Sequence, residues 1–259
     1  MEWIHQLTGR ETAFLLVLAR MAAFVAALPA IGDRGVPMVV KALAALSITF
    51  VLFPVLRVPN VSDDAATLTF GLLGEALIGA ALGLGVRFFF AAVDFGSDVM
   101  GLQMGLGIGN LYDPAFGQPE SLVGRLFGIL ALMIFFIGNV HHVVLRVLVE
   151  SFERVPLLGF TMTGPLADQL IRLGGGMFVL ALMISFPVTV AMLLATLALG
   201  ILFRVVPQMN VFLISFPVTI SLGLLVTGAS VSLLVGVLQG RVEHVGEDLQ
   251  VLLSAMRRP

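Results

Sequence analysis

The sequence predicts an all-α integral membrane protein with about six hydrophobic, kinked helical segments and a C-terminal amphipathic helix. Three observations favour this class. Hydrophobic residues make up 59% of the 259-residue chain and charged residues only 12%, whereas soluble domains average about 45–50% and about 25%. The mean hydropathy is +1.08, and the apolar residues occur in long runs. A water-soluble fold of this size cannot bury so much apolar surface, which leaves an α-helical membrane protein.

The composition also excludes several classes of function. A net charge of −2 without any basic block argues against nucleic-acid binding. The chain contains no cysteine, which excludes disulfides, thiolate catalysis and thiolate-held metals. The adjacent His141 and His142 lack an H-E-x-x-H pattern. We therefore expect no enzyme, no cofactor and no metal site.

A membrane-spanning helix needs roughly 20 mostly apolar residues, and six stretches of the sequence qualify. They are, approximately, Thr12–Leu28, Val36–Leu56, Ala65–Val93, Leu122–Val149, Leu173–Phe203 and Val211–Leu238. We expect the first stretch to be retained rather than cleaved as a signal peptide, because Glu2 and Glu11 flank its N-terminal cation, Arg10. Residues 1–238 are interpreted as one hydrophobic helical domain.

Residues 239–259 form a more polar C-terminal tail. The apolar residues of this tail recur every three or four positions, which predicts an amphipathic helix lying against the rest of the protein or the membrane interface. These residues are Val242, Val245, Leu249, Leu252 and Met256.

Polar and charged side chains lie in or near the apolar runs. A charge at membrane depth costs several kcal/mol unless it is paired or hydrated, so helices that carry such residues need partners. The residues are Arg20, Lys41, Glu75, Arg87, Asn139, His141, His142 and Arg146.

The third run carries small residues at four-residue spacing around an acidic one. Gly71, Glu75, Gly79 and Gly83 share one ridge of a helix, where glycine lets another helix backbone approach closely. Arg87 lies roughly 18 Å further along the same helix and cannot be the partner of Glu75. We interpret the ridge as a packing seam with a satisfied carboxyl group. A proton-carrying or ion-binding Glu75 is the alternative.

Residues 101–121 combine five glycines and two prolines with bulky apolar side chains. The stretch has neither the strand context nor the Gly-Lys-Ser/Thr ending of a phosphate-binding loop. It either packs inside the protein or forms a deformable stopper in a channel, because glycine frees the backbone while apolar side chains avoid water. The candidate gating residues are Gly105, Leu106, Gly107, Ile108, Gly109, Leu111, Tyr112, Asp113, Pro114 and Phe116.

The fifth and sixth runs contain the same hexapeptide, I-S-F-P-V-T, at Ile184–Thr189 and Ile214–Thr219. Each proline removes a backbone donor and predicts a kink, and paired broken helices are typical of transporter substrate sites. However, Pro187 lies roughly 25 Å and Pro217 roughly 9 Å from the turn between the two runs. Two similarly bent helices are therefore expected rather than a split substrate site. The kink and turn residues are Pro187, Arg204, Pro207, Gln208, Asn210 and Pro217.

Taken in order along the chain, several motifs resemble the FliR family of flagellar export-gate subunits, whose injectisome counterparts form the SctT group. The resemblance covers nearly the whole chain. The motifs are Glu75–Gly79–Gly83, G-L-Q-M-G-L followed by Asp113–Pro114, Ser151–Phe152 with Pro156, and the turn R-V-V-P-Q-M-N at Arg204–Asn210 followed by Phe216–Pro217.

The resemblance implies a non-enzymatic structural and gating subunit of a flagellar type III protein-export channel, in the bacterial inner membrane at the flagellar basal body. It implies a hetero-oligomeric complex with FliP and FliQ, with FlhB as a further partner, and contact with lipid and unfolded export substrates. Residues of about 1–172 would be a FliP-like portion and about 173–238 a FliQ-like helical hairpin. The loop at 101–121 would be the plug that seals the pore until a substrate passes. Many helices of such complexes stand above the membrane plane.

Two functions of other classes remain as alternatives. A small-solute or ion transporter would use Glu75 and the kinked helices of Pro187 and Pro217, and it would act alone or as a small homo-oligomer. An export subunit should instead purify in a large complex with other hydrophobic chains. An intramembrane hydrolase is the third possibility, but Asp94 and Asp98 lack the Gly-x-Gly-Asp signature of an aspartyl protease.

Overall fold

The computed structural model describes residues 11–29, 32, 35–56, 65–106, 122–208 and 210–256. Within these ranges the protein is built from α-helices, which confirms the predicted all-α class. The helices are α1 (Glu11–Ala27), α2 (Met38–Leu52), α3 (Ala65–Met104), α4 (Leu122–Ile137), α5 (Val140–Arg154), α6 (Gly164–Val205) and α7 (Val211–Ala255).

Each of the six predicted apolar runs coincides with helix, but the helix ends differ from those of the runs. The fourth run is broken into α4 and α5 at Asn139, whose φ of 55° lies in the left-handed region. Asn139 tolerates this conformation better than most residues. In contrast, α3 continues eleven residues past the predicted end of the third run, because Asp94 and Asp98 do not interrupt a helix.

The number of helices that fit a membrane is smaller than the six spans expected from the sequence. Among the described residues, three helices are long and apolar enough to cross a bilayer, namely α3, α6 and α7, and α4 with α5 would make a fourth if they were one broken span. Helix α2 has 15 residues, so it is about 22 Å long, which is short of the roughly 30 Å hydrocarbon core. Hydropathy alone could not reveal this difference in length.

The chain divides into two compact units, neither of which is continuous in sequence. The first comprises Met1–Phe88, Asn139–Gly174 and His244–Pro259, and the second comprises Phe89–Gly138 and Gly175–Glu243. These boundaries do not coincide with the predicted ones near residues 172 and 238. The predicted FliP-like and FliQ-like portions describe similarity to other proteins and stay predictions.

From His244 onward, the C-terminal tail belongs to the first unit. Helix α7 continues without a break to Ala255, so the residues predicted as a separate tail are its last turns. The five apolar positions predicted from helical spacing are all buried, which confirms the amphipathic pattern. Leu249 and Leu252 pack on the side of α3 at Gly85, and Gly246 lies against Val143 of α5.

In the second unit the later part of α3 packs on α4 and α6. Phe90 meets Phe135 of α4 edge-to-face at 5.4 Å, and Phe95 meets Phe178 of α6 at 5.7 Å. A Cβ atom added at Gly96 would lie 2.8 Å from the carbonyl oxygen of Ala181. Close backbone approach at this point therefore depends on glycine.

Large apolar side chains of the second unit remain exposed. In the most apolar window of α3, 61% of the residues are buried inside the chain, compared with 33% for α6 and 17% for α7. On α6 the exposed side chains form a stripe at helical spacing. They are Leu182, Phe186, Leu193, Leu197 and Ile201. A stripe of this size requires lipid or another apolar chain to cover it.

Candidate functional site

A fully buried ion pair joins α1 to α3 in the first unit. The side chains of Arg20 and Glu75 are both 0% exposed, and the Arg20 Nη2 and Nε atoms each lie 2.6 Å from the Glu75 Oε2 atom. Both N–H groups therefore converge on one carboxylate oxygen. A buried charge is tolerated only when it is paired and its remaining hydrogen-bonding groups are satisfied.

Arg20 has further partners in and after α5. Its Nη1 atom donates to Ser151 Oγ at 3.0 Å, and Nη2 donates to the carbonyl oxygen of Val155 at 3.0 Å. The guanidinium group also lies over the ring of Phe152, 4.2 Å from the ring centroid, where the face of the ring attracts a cation. One side chain of α1 therefore contacts three residues on or just after α5.

The second oxygen of Glu75 fixes a turn between α5 and α6. Oε1 accepts the backbone N–H of Leu158 at 3.1 Å, and the N–H of Gly159 donates to the Pro156 carbonyl oxygen at 2.9 Å. Leu158 has a φ of 65°, which a turn normally assigns to glycine and which costs a leucine about 1–2 kcal/mol. The hydrogen bond to the carboxylate helps to hold Leu158 in this conformation.

These contacts explain how two charged residues sit in an apolar interior. Arg20 and Glu75 neutralise each other, and both Glu75 oxygens accept hydrogen bonds. The sequence shows each residue as a charge inside an apolar run but does not pair them, because 55 positions separate them. The opposite signs of the two charges were the available signal for this pairing, since buried charges in apolar helices require partners.

The predicted ridge of small residues on α3 faces α1. A Cβ atom at Gly79 would collide with the carbonyl oxygen of Arg20, and one at Gly83 would lie 2.5 Å from Ala27 Cβ and 2.9 Å from the Phe24 carbonyl oxygen. A Cβ atom at Gly71 would collide with Leu158. Glycine at positions 79 and 83 lets the backbones of α1 and α3 approach closely enough for the ion pair to form.

A recess of 540 Å³ opens beside the ion pair. One face of α3 from Ala66 to Leu77 lines it, together with Leu158 and Phe160. The walls are mostly apolar, and Glu75 reaches the recess with its oxygens already bonded to Arg20 and Leu158.

Only the beginning of the predicted gating loop lies in the part of the chain that the structure describes. The N–H of Gly105 donates to Leu102 O at 3.1 Å, and the N–H of Leu106 donates to Gly101 O at 3.0 Å. Gly105 has a φ of 86°. This is a Schellman motif, which ends a helix with glycine in a left-handed conformation. Eight candidate gating residues lie outside the described residues, namely Gly107, Ile108, Gly109, Leu111, Tyr112, Asp113, Pro114 and Phe116.

The predicted kink and turn residues fall in or between α6 and α7. Pro187 lies inside α6 and Pro217 inside α7, while Arg204 is in the last turn of α6. Pro207 and Gln208 follow in the turn. Asn210 caps α7, because its Oδ1 atom accepts the N–H of Leu213 at 3.4 Å.

Comparison with known proteins shows that the sequence is similar to bacterial export proteins. Residues 12–245 match the family described as bacterial export proteins, family 1. A flagellar biosynthetic protein FliR of Escherichia coli (strain K12) is 33% identical over 217 residues, which is 84% of this chain and 83% of the relative. The protein of the same name from Bacillus subtilis (strain 168) is 31% identical over 93% of this chain and 95% of the relative. That from Pectobacterium carotovorum is 29% identical over 97% and 92%.

We predict that breaking the buried ion pair is costly and that removing both charges costs less than the two single changes together. Glu75→Gln leaves a buried guanidinium uncompensated and should destabilise the protein by about 3–5 kcal/mol. Arg20→Met should act similarly, while Arg20→Met with Glu75→Gln should recover part of the loss. Thermal unfolding of the detergent-extracted protein measures all three variants.

The matched control for this cycle is the exposed pair Arg154–Glu150, whose Nη2 and Oε2 atoms lie 3.3 Å apart. Glu150→Gln should change stability by less than about 1 kcal/mol, because solvent screens exposed pairs. Equal effects of Glu75→Gln and Glu150→Gln, or strictly additive effects in the double variant, would contradict the assigned pair.

We also predict that alanine is not tolerated at the closest point of the ridge. Gly79→Ala sets a Cβ atom against the backbone of Arg20, which cannot rotate away, so the folded protein should accumulate poorly in membranes. Gly128→Ala in α4 is the control, since among the described residues nothing beyond its own helical backbone and chain neighbours lies within 4 Å of the added Cβ, and alanine favours helix. Quantitative immunoblotting of membranes compares them, and equal levels would show that α1 does not lie against Gly79.

Proposed function

The chain belongs to the bacterial export proteins of family 1, and from that membership we propose that it is a membrane component of a flagellar protein-export apparatus. The family match from residue 12 to residue 245 is the observation that carries this proposal. Relatives named flagellar biosynthetic protein FliR support it, because they align over most of their own length and not only through one segment. The long apolar helices α3, α6 and α7 suit a location in the bacterial inner membrane.

Within that apparatus we propose a structural, non-enzymatic role in a hetero-oligomer. The exposed apolar stripe on α6 and the low burial of α7 support this role, since each helix leaves a face that this chain does not cover. The proposed neighbours are FliP and FliQ, with FlhB as a further partner and lipid at the remaining surface. Residues of about 173–238 are proposed as a FliQ-like hairpin, and about 1–172 as a FliP-like portion, at the flagellar basal body.

The proposed gating element is the stretch of residues 101–121. Its first four residues are the last turn of α3, which corrects the predicted start of the loop, and the Schellman motif at Gly105 ends this helix. The following sequence alternates glycine with Leu106 and Ile108 up to Gly109, and Leu111 and Tyr112 come after Asn110. In a pore, an apolar constriction excludes water and ions by dewetting, and glycine lets it move when an unfolded substrate arrives. The energy for export must come from other components, since the sequence contains no nucleotide-binding motif.

The geometry of Glu75 favours export over solute transport. A carrier that used this carboxylate would need it accessible to an ion or a proton, but both oxygens are bonded inside the first unit and the charge is compensated by Arg20. Glu75 is therefore assigned to the scaffold of the export component.

We predict that deleting residues 107–117 raises ion leakage through the assembled complex without preventing assembly. The deletion starts beyond the Schellman motif, so α3 should still end normally. It removes the apolar side chains that are proposed to block the pore. Conductance of the purified complex in planar bilayers measures the leak, and native mass analysis measures assembly.

A length-matched variant separates sealing by apolar side chains from sealing by chain bulk. Replacing residues 107–117 by glycine and serine keeps the length but removes the apolar groups, and it should leak like the deletion. Unchanged conductance in both variants, with a complex of normal mass, would refute the gating role and leave export membership intact.

A further inference from the structure

The end of α3 is held by the two copies of the I-S-F-P-V-T repeat, one from α6 and one from α7. Thr189 ends the first copy, and its Oγ1 atom accepts a hydrogen bond from Gln103 Nε2 at 3.2 Å. Thr219 ends the second copy, and its Oγ1 atom donates to the carbonyl oxygen of Met104 at 3.2 Å. The same position of each copy therefore contacts one of the last two residues of α3.

The hydrogen bond from Thr219 satisfies a carbonyl group at the end of α3. The last carbonyl groups of a helix have no partner within it, and the Schellman motif uses only those of Gly101 and Leu102. The Met104 carbonyl is left over, and Thr219 donates to it in a partly buried position. A hydrogen bond in such surroundings contributes more than one in water.

Side-chain packing holds the same point. Met104 is 0% exposed, and its side chain lies where Gly223 of α7 has no Cβ atom. An added Cβ there would lie 2.8 Å from Met104 Sδ and 3.0 Å from Cε. Gly223 lies one helical turn after Thr219, so one face of α7 receives both the carbonyl and the side chain of Met104.

From these contacts we infer that Thr189 and Thr219 are positioning residues that clamp the last turn of α3 and thereby set the place and direction in which the chain leaves it. The clamp comprises Gln103, Met104, Thr189, Thr219 and Gly223. The inference rests on the proposed function only in its consequence, because the proposed gating stretch continues from this end of α3. With this inference the hexapeptide repeat has a structural role that does not involve binding a solute.

The clamp can be released at small cost. The hydroxyl group of Thr219 has one hydrogen but three carbonyl acceptors in reach, since Ser215 O lies at 3.0 Å and Phe216 O at 3.2 Å, on its own helix. Turning from Met104 to either carbonyl keeps one hydrogen bond for Thr219 while it gives up the contact with the end of α3. The Thr219 hydroxyl therefore holds the end of α3 through a hydrogen bond that can be exchanged for another.

The test is hydrogen exchange of the Gly105 and Leu106 amides, which report the Schellman motif directly, in the purified full-length complex. Thr219→Val removes the hydroxyl donor and should speed this exchange about fivefold, the effect of losing one ordinary hydrogen bond. Thr219→Ser keeps the donor and should exchange like the unmodified protein. Gln103→Met tests the exposed contact and should speed exchange about twofold.

Thr227→Val is the matched control, because within the described part of the chain the Thr227 hydroxyl donates to Gly223 O of its own helix, at 2.7 Å. It should leave the Gly105 and Leu106 amides unchanged. Equal exchange in the Thr219→Val and Thr227→Val proteins would overturn the clamp. If Thr219→Val fails to accumulate, Gln103→Met still decides the matter, and unchanged exchange there overturns it.

Conductance of the same variants keeps this inference separate from the proposed gating role. Faster exchange in Thr219→Val with no added leak upholds the clamp and counts against sealing by the adjoining stretch. A leak in the deletion of residues 107–117, with normal exchange in Thr219→Val, upholds sealing and overturns the clamp.

Discussion

The first unit depends on the requirement that Arg20 and Glu75 meet without water. A charged group buried alone in apolar surroundings would neutralise or unfold its helix, so α1 and α3 must approach until the two side chains touch. Side chains larger than hydrogen at Gly79 and Gly83 would keep the backbones apart. Arg20 also donates to Ser151 and to the Val155 carbonyl oxygen, because its guanidinium group carries more donors than one carboxylate can accept.

A charged pair whose hydrogen bonds are satisfied holds helices in place, but its carboxylate is not available to bind an ion or carry a proton. Its hydrogen bonds specify one arrangement of α1, α3 and α5, and any other arrangement leaves charged groups unsatisfied. The second unit differs in kind, since α6 and α7 show long exposed apolar faces. Its clamp at the end of α3 uses neutral hydroxyl and amide groups, which exchange partners at much lower cost than buried ions.

Much of the fold could be predicted from the sequence, because hydropathy and helical periodicity are local signals. The apolar runs, the ridge around Glu75 and the amphipathic C-terminal turns depend on spacing along one helix, and the structure places helix at each of them. Pairings between distant helices leave no such local trace. Arg20 with Glu75, and Thr219 with Met104, join residues 55 and 115 positions apart. The break at Asn139 was missed because apolar residues continue on both sides of it, although α5 also carries His141 and His142.

The discontinuous first unit has a consequence for biosynthesis. Its core includes Leu249, Leu252 and Leu253, which a ribosome releases only after helices α1 to α6 have been made. Until then the side of α3 at Gly85 lacks the leucines that cover it. A nascent chain therefore stays incompletely packed on this side of α3 until these leucines are synthesised. A product truncated before Leu249 would leave that side of α3 without its cover.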